Sequence, residues 1–498
     1  MADYIKKFEE HDDYILYKED GTMTLPNVSR CDDEKDIHLN HALIKIPLTF
    51  KILSDGVIKF TATDANNTRT LSYSKNDGDW ISIISSTAGT EIPVEKGDTV
   101  AFKGNNPSGL SYWNGESGSA NVEYFNGFTN STCLFHAYGN IMSLIEPTNF
   151  ATNYEFKDDT MEQFGRLFRE TKICTARHLV LPATTLKIYC YYDMFRLCKH
   201  LHSAPLLLST NLATGCYSQM FTGCGSLTIV QNTLPALTVP VNGYNNMFST
   251  TGLSKAPEIE ATTVDGYAFW NMFEGCEKMT HGPSILRATD LSGTTQCYSG
   301  MFKECYNLQV APQLPATKLG TQCYLYMFQN CQSLVTPPAL PATTLAEGCY
   351  SGMFNNCWTL GSTPTLSATT LFPSCYYRMF LNCRAITTAP ALPATVLAKS
   401  CYGLMFNGCT SLTTAPELGA YTLVETCYQQ MFTGCTSLNS ITCLATDLSA
   451  TNCLQNWVQN VASTGTFTRD SDTTWPSGNS GIPANWTVNT VDDGIQWD

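Results

Sequence analysis

Cys323-Tyr324-Leu325-Tyr326-Met327-Phe328-Gln329-Asn330-Cys331-Gln332-Ser333-Leu334 is the stretch on which the fold turns, because its frame recurs with a period of 26 residues. The pattern Cys-Tyr-x-x-Met-Phe-x-x-Cys starts at Cys190, Cys216, Cys297, Cys323, Cys349, Cys375, Cys401 and Cys427. Its apolar residues fall at i, i+1, i+4, i+5 and i+8, the spacing of about two helical turns with one buried face. A β-compatible segment follows, such as Ser411-Leu412-Thr413-Thr414-Ala415-Pro416-Glu417-Leu418, in which proline limits ladder bonds and keeps the strand short. The turn phrase Leu340-Pro341-Ala342-Thr343-Thr344-Leu345 closes the unit. One strand and one short helix in 26 residues lie within the length range of leucine-rich repeats, and such a unit buries its apolar face only by stacking.

Outward from this stretch the frame weakens in an informative way. Two units between Cys224 and Cys297 carry Gly243-Tyr244 with Met247-Phe248, and Ala268-Phe269 with Met272-Phe273 and Cys276. Gly243 and Ala268 in the first cysteine column mark it as a small buried position, not as a ligand or a bridge. Upstream, Phe164 and Leu167-Phe168 fit the frame as an atypical first unit, with Gln163 in place of cysteine. Downstream, Cys453-Leu454 and Trp457-Val458 put a tryptophan in the Met column, a suitable lid for a unit with no further neighbour. Gln163 to Cys453 spans about eleven coils, and at roughly 4.8 Å per strand the stack is on the order of 50 Å long.

The bulk properties agree with stacking. Charged residues are only 14% of the chain while hydrophobic residues are 43%, as expected where unit-to-unit surfaces occupy places that charges normally take. The net charge of −14 and the absence of a basic stripe argue against a nucleic-acid partner. No run of about 18 apolar residues suggests a membrane span. The opening residues Met1 to Glu10 are charged and lack the apolar core of a secretory signal, so synthesis and folding in a cytosol are expected. Of the 22 cysteines, 18 fall in the two periodic columns, which favours reduced, buried thiols over a disulfide framework.

The N-terminal third reads differently. Ile44 to Ile52, a turn at Asp55-Gly56, then Val57 to Ala62, Thr70 to Ser74, Trp80 to Ile83 and Thr99 to Phe102 are short alternating runs separated by turn residues. This is the pattern of a small antiparallel β-sandwich. The expected fold is therefore mainly β with short helices. Residues 1–40 form an N-terminal docking segment, 41–125 a β-sandwich domain, 126–160 a connector and N-cap, 161–460 the repeat solenoid and 461–498 a C-terminal cap.

The repeat phrase, extended through Ser-Leu-x-x-Ala-Pro-x-Leu-Pro-Ala-Thr-x-Leu, resembles the BspA-like leucine-rich repeats common in gut Bacteroidales and their phages. Phe135-His136-Ala137-Tyr138-Gly139-Asn140-Ile141-Met142-Ser143-Leu144 resembles the opening of such repeat regions. Trp457 to Phe467 and Gly481-Ile482-Pro483-Ala484-Asn485-Trp486 resemble their closing segment. Tyr4-Ile5-Lys6-Lys7-Phe8 with Leu25-Pro26-Asn27-Val28-Ser29 is similar to the opening of structural proteins from Bacteroidales phages, crAss-like ones included. The resemblance implies a phage virion structural protein, a fibre or decoration subunit of head or tail. Such a protein is made in the host cytoplasm, contacts other virion proteins through its N-terminal segment, and forms a homo-oligomer where its attachment point is symmetric. The alternative is a bacterial cell-surface adhesin of the same repeat type, against which the missing export signal weighs.

No enzyme is expected. His200 and His202 lack a third metal ligand, the Cys-x7-Cys spacing is wrong for zinc, and no hydrolase or metalloprotease motif occurs. Catalytic, cofactor-binding and metal residues are all expected to be none. The tyrosine column, Tyr191 to Tyr428, is either a sugar-stacking platform or inward packing, with packing favoured by its adjacency to buried cysteines. The better recognition positions vary while the frame stays fixed. They are Gln309, Val335, Ser362, Thr387, Thr413 and Asn439, taken as the first residue after the Leu of each strand. Such a row, polar and mostly neutral, suits host-surface or mucosal glycan or protein contact by hydrogen bonding.

Overall fold

The structure, a computed structural model, describes residues 16–17, 23–24, 43–113, 123–156, 162–471 and 473–491. The expected docking segment, residues 1–40, lies outside the described residues except for the antiparallel pair Leu16–Tyr17 and Met23–Thr24. The protein is mainly β with almost no helix; the described helical elements are the short 3-10 turns Ile141–Leu144 and Phe150–Thr152.

Alternating side chains build the N-terminal region. Strands β1 (Thr49–Ile52), β2 (Gly56–Ala62), β3 (Thr70–Lys75), β4 (Ile81–Ile84), β5 (Thr90–Val94) and β6 (Thr99–Lys103) are joined by β7 (Asn126–Gly127), β8 (Phe135–Asn140) and β9 (Ile173–Val180). One sheet runs β9-β8-β1-β6-β3-β4 and a second β7-β2-β5. Pro93 sits on β5, an edge strand, where a missing ladder donor costs least. Phe128 lies 4.9 Å from Phe50 on β1, 4.8 Å from Phe102 on β6 and 5.7 Å from Phe60 on β2, so the two sheets share one aromatic core.

The hand-over to the repeats occurs within the larger sheet. Strand β8 is antiparallel to β1 but parallel to β9, and parallel bridges Thr175–Ser203 and Ser203–Ile229 continue that direction into the first repeats. The apolar core is continuous from Leu48 to Trp486.

Two expectations about the repeats are corrected. The Cys-Tyr-x-x-Met-Phe-x-x-Cys segments are not helices. They are chains of turns in which every fourth residue is left-handed, as at Gln322 (φ 54°), Tyr326 (φ 54°) and Asn330 (φ 64°). The amides of Leu325, Met327, Gln329 and Cys331 donate three residues back, to Gln322, Tyr324, Tyr326 and Phe328. Those between them, Tyr324, Tyr326, Phe328 and Asn330, donate to Cys349, Ser351, Met353 and Asn355 of the next repeat at 2.8 to 3.0 Å. A helix would keep all of these bonds within the segment; here half of them tie neighbours together, and the left-handed residues turn the donors outward. The Leu-x-x-Ala-Pro-x-Leu segments are likewise mostly single parallel bridges, such as Thr388–Thr414 and Thr414–Ser440, rather than strands.

Stacking is most visible in the rings. Phe168, Phe195 and each later Phe of the frame, through Phe432, lie 5.2 to 5.9 Å from the next. A second column, from Tyr191 through Tyr244 and Phe269 to Tyr428, has spacings of 5.2 to 6.2 Å. Both columns end on buried Trp457, 6.3 Å from Tyr428 and 6.0 Å from Phe432. The Trp457 Nε1–H donates to the Gly481 carbonyl at 2.8 Å, so the lid is itself held. Beyond it, β10 (Ser440–Cys443), β11 (Thr466–Asp470) and β12 (Thr487–Val491) form a parallel closing sheet.

Candidate functional site

The residues proposed for recognition are all exposed: Gln309, Val335, Ser362, Thr387, Thr413 and Asn439. Backbone hydrogen bonds set their order. The Gly361 amide donates to the Val335 carbonyl at 3.1 Å, that of Thr413 to Thr387 at 3.5 Å, and that of Asn439 to Thr413 at 3.0 Å. The row therefore runs through Gly361, and Ser362 lies one residue beyond it. Gly361, not Ser362, directly follows the buried Leu360.

The tyrosine column lies inside. Tyr217, Tyr298, Tyr324, Tyr350, Tyr376, Tyr402 and Tyr428 are buried, so none presents a face to a sugar. Burial raises their hydroxyl pKa values above the usual range. His200 and His202 are exposed on either side of buried Leu201.

The two cysteine columns are chemically distinct, which the repeat pattern alone did not reveal. In the second column the thiols of Cys331, Cys357, Cys383 and Cys409 donate to the Phe302, Phe328, Phe354 and Phe380 carbonyls of the preceding repeat at 3.0 to 3.1 Å. At two of the three positions where this column lacks cysteine, Thr171 and Thr251 keep a hydroxyl in place, 3.4 and 3.2 Å from the sulfurs of Cys198 and Cys276, while the terminal frame has Val461. The first column accepts Gly243 and Ala268, which donate nothing from a side chain. Desolvation pushes the Cys216 and Cys297 thiols up to about 12, and the described cysteines are unbridged. These sulfurs pack and bond, and burial disfavours the thiolate form on which cysteine reactivity depends.

No family profile, curated protein or solved structure matches the chain.

One buried charge cluster went unread in the sequence. Asp193 is fully buried and meets Arg166 and Arg169 at 3.3 Å and Arg196 at 3.6 Å. Burial nevertheless raises its carboxyl pKa, and the three guanidiniums only partly oppose the shift. Arg166 also lies 5.2 Å from the centre of the Phe125 ring, so the cluster joins the N-terminal region to the first repeats. Arg166 and Arg169 close one turn of the first frame while Asp193 and Arg196 close a turn of the next, so stacking of the two frames completes the cluster. Among the described residues no group of three or more His, Cys, Asp or Glu side chains is placed to hold a metal ion.

Proposed function

We propose that this chain is a non-enzymatic display protein, a virion structural subunit of fibre or decoration type. Its repeats would form a BspA-like leucine-rich solenoid that adheres to host-surface or mucosal glycans or proteins. Leu167-Phe168 to Trp457-Val458 contains twelve frames, one more than the about eleven expected. The single observation that carries the reading is the row from Gln309 to Asn439, exposed and variable on a frame whose interior hardly changes. A frame tied by hydrogen bonds from every repeat to the next holds such a row rigid, so binding does not have to order it. The virion assignment rests on the resemblance of residues 4–8 and 25–29 to phage structural proteins.

The test is to quantify the chain in purified virions and in host envelopes. A fixed copy number per particle is expected. Recovery only from cell envelopes overturns the virion assignment in favour of a bacterial adhesin, and degradation of a glycan by the purified chain overturns the non-enzymatic reading.

A further inference from the structure

Each repeat turns a corner immediately after its second cysteine. The amide of Leu360 donates to Cys357 and that of Ile386 to Cys383, which places Trp358 and Arg384 at equivalent corners of neighbouring repeats. Trp358 is 43% exposed, and the Arg384 guanidinium carbon stands 5.3 Å from the centre of its ring. Arg384 is exposed too, and among the described residues no carboxylate or hydrogen-bond acceptor takes up its guanidinium. Arg378, in the same repeat and 4.8 Å from the centre of the Tyr377 ring, also lacks a carboxylate partner among the described residues. In a chain of net charge −14 this is a local reversal of sign.

Gly361 follows three residues after Trp358. A Cβ there would meet only the Thr359 carbonyl oxygen, at 3.9 Å, so the position is open. The row of recognition residues thus loses its side chain three residues after an exposed indole, while Thr387 supplies an exposed side chain in the next repeat.

We infer that Trp358, Gly361, Arg384 and Thr387 form a subsite for a carboxylated sugar. The pyranose would pack on the part of the indole that Arg384 leaves open, with its carboxylate on Arg384 and a ring hydroxyl on Thr387. An indole held by a guanidinium is pre-oriented for stacking, and a guanidinium free of protein acids pairs readily with a carboxylate. The inference rests on the adhesive reading and gives it a ligand class; uronic and sialic acids share the chemistry.

The full chain would be titrated with sialyllactose, with a glucuronate-containing oligosaccharide and with neutral lactose, read by isothermal titration and saturation-transfer NMR. Preference for one or both acidic sugars over lactose is expected, and which one binds identifies the source. Trp358→Ala should weaken binding roughly tenfold or more. Arg384→Gln should abolish the acidic preference while sparing residual binding, and Thr343→Ala, in an exposed turn outside the row, should change neither. Equal binding of acidic and neutral sugars, no binding of either acidic sugar, or full affinity in Trp358→Ala each overturns the subsite. Attachment of the chain to host cells or mucin is measured in parallel. Attachment that survives Trp358→Ala leaves the adhesive reading standing without this subsite; sugar binding without attachment leaves the subsite standing and removes the adhesive reading.

Discussion

The N-terminal sheets and the repeat stack share one apolar core yet hold their backbones in different ways. In the former, strands of up to eight residues pair along their length, as β2 does with β5 from Gly56–Val94 to Phe60–Thr90. In the latter, mostly single bridges and chains of left-handed turns carry the hydrogen bonds from one repeat to the next. The sheet region is stabilised by contacts among strands far apart in sequence, whereas each repeat depends on its two neighbours. Stability in the stack should therefore be close to a sum of neighbour terms, and the sheets should unfold as one unit.

Alkaline pH should break the comparison open most widely. Among the described residues the N-terminal sheet region holds two cysteines, Cys133 and the half-buried Cys174 on β9, whereas two buried columns run through the stack. Folding raises these thiol pKa values, so their stabilisation is complete below the unfolded value of about 8.5 and is lost as pH rises toward the folded value near 12. At pH 10 a thiol such as Cys216 or Cys297 forgoes about 2 kcal/mol, repeated along the columns. Hydrogen exchange at pH 7 and pH 10, compared after correction for intrinsic rates, should show protection lost in the repeats and retained over 49–103. Equal loss in both regions would contradict this.

Core truncation is the next largest test. Phe354→Ala and Phe50→Ala should each cost about 3–5 kcal/mol. The first should open the flanking repeats and leave the sheets protected, while the second should lower protection across the sheets together. A single uniform transition in both variants would show that the regions are not separable.

Backbone conformation comes third. Gly352 has φ 59°, and a Cβ there would lie 2.3 Å from the Tyr326 ring. Gly352→Val should cost at least about 1–3 kcal/mol of strain, read as a shift in denaturation midpoint. An unchanged midpoint would mean that the left-handed turns are dispensable.

The smallest effect separates the cysteine columns. Cys357→Ala should cost about 1 kcal/mol more than Cys349→Ala, because only Cys357 donates across repeats. Cys357→Thr should recover part of the difference, as Thr171 and Thr251 already stand in that column. Equal losses in the two alanine variants would remove the distinction.

Much of this was legible in the residues. The period, the buried columns, the inward tyrosines and the Trp457 lid follow from which side chains recur, because burial selects residue type. The turn conformation was misread as helix, since apolar spacing of four residues is close to the helical 3.6. A signal was present in the column Asn330, Asn356, Asn382, Gly408 and Gly434, residue types that accept positive φ. Its amides also form a ladder, with Asn356 donating to Asn330 and Asn382 to Asn356, each at 2.9 Å. Ser362 stands one residue off the row because the backbone bond from Gly361 to Val335 aligns the repeats through a glycine, which carries no side-chain signal.

By itself the sequence determined which residues must be hidden and how often, because a recurring apolar column has no stable place except against its copies. Only the tertiary structure decided where each amide and thiol proton goes. Those bonds join atoms a full repeat apart, and their direction depends on the backbone angle at every fourth residue. Side-chain periodicity reports burial; it does not report whether a donor points along its own segment or across to the next.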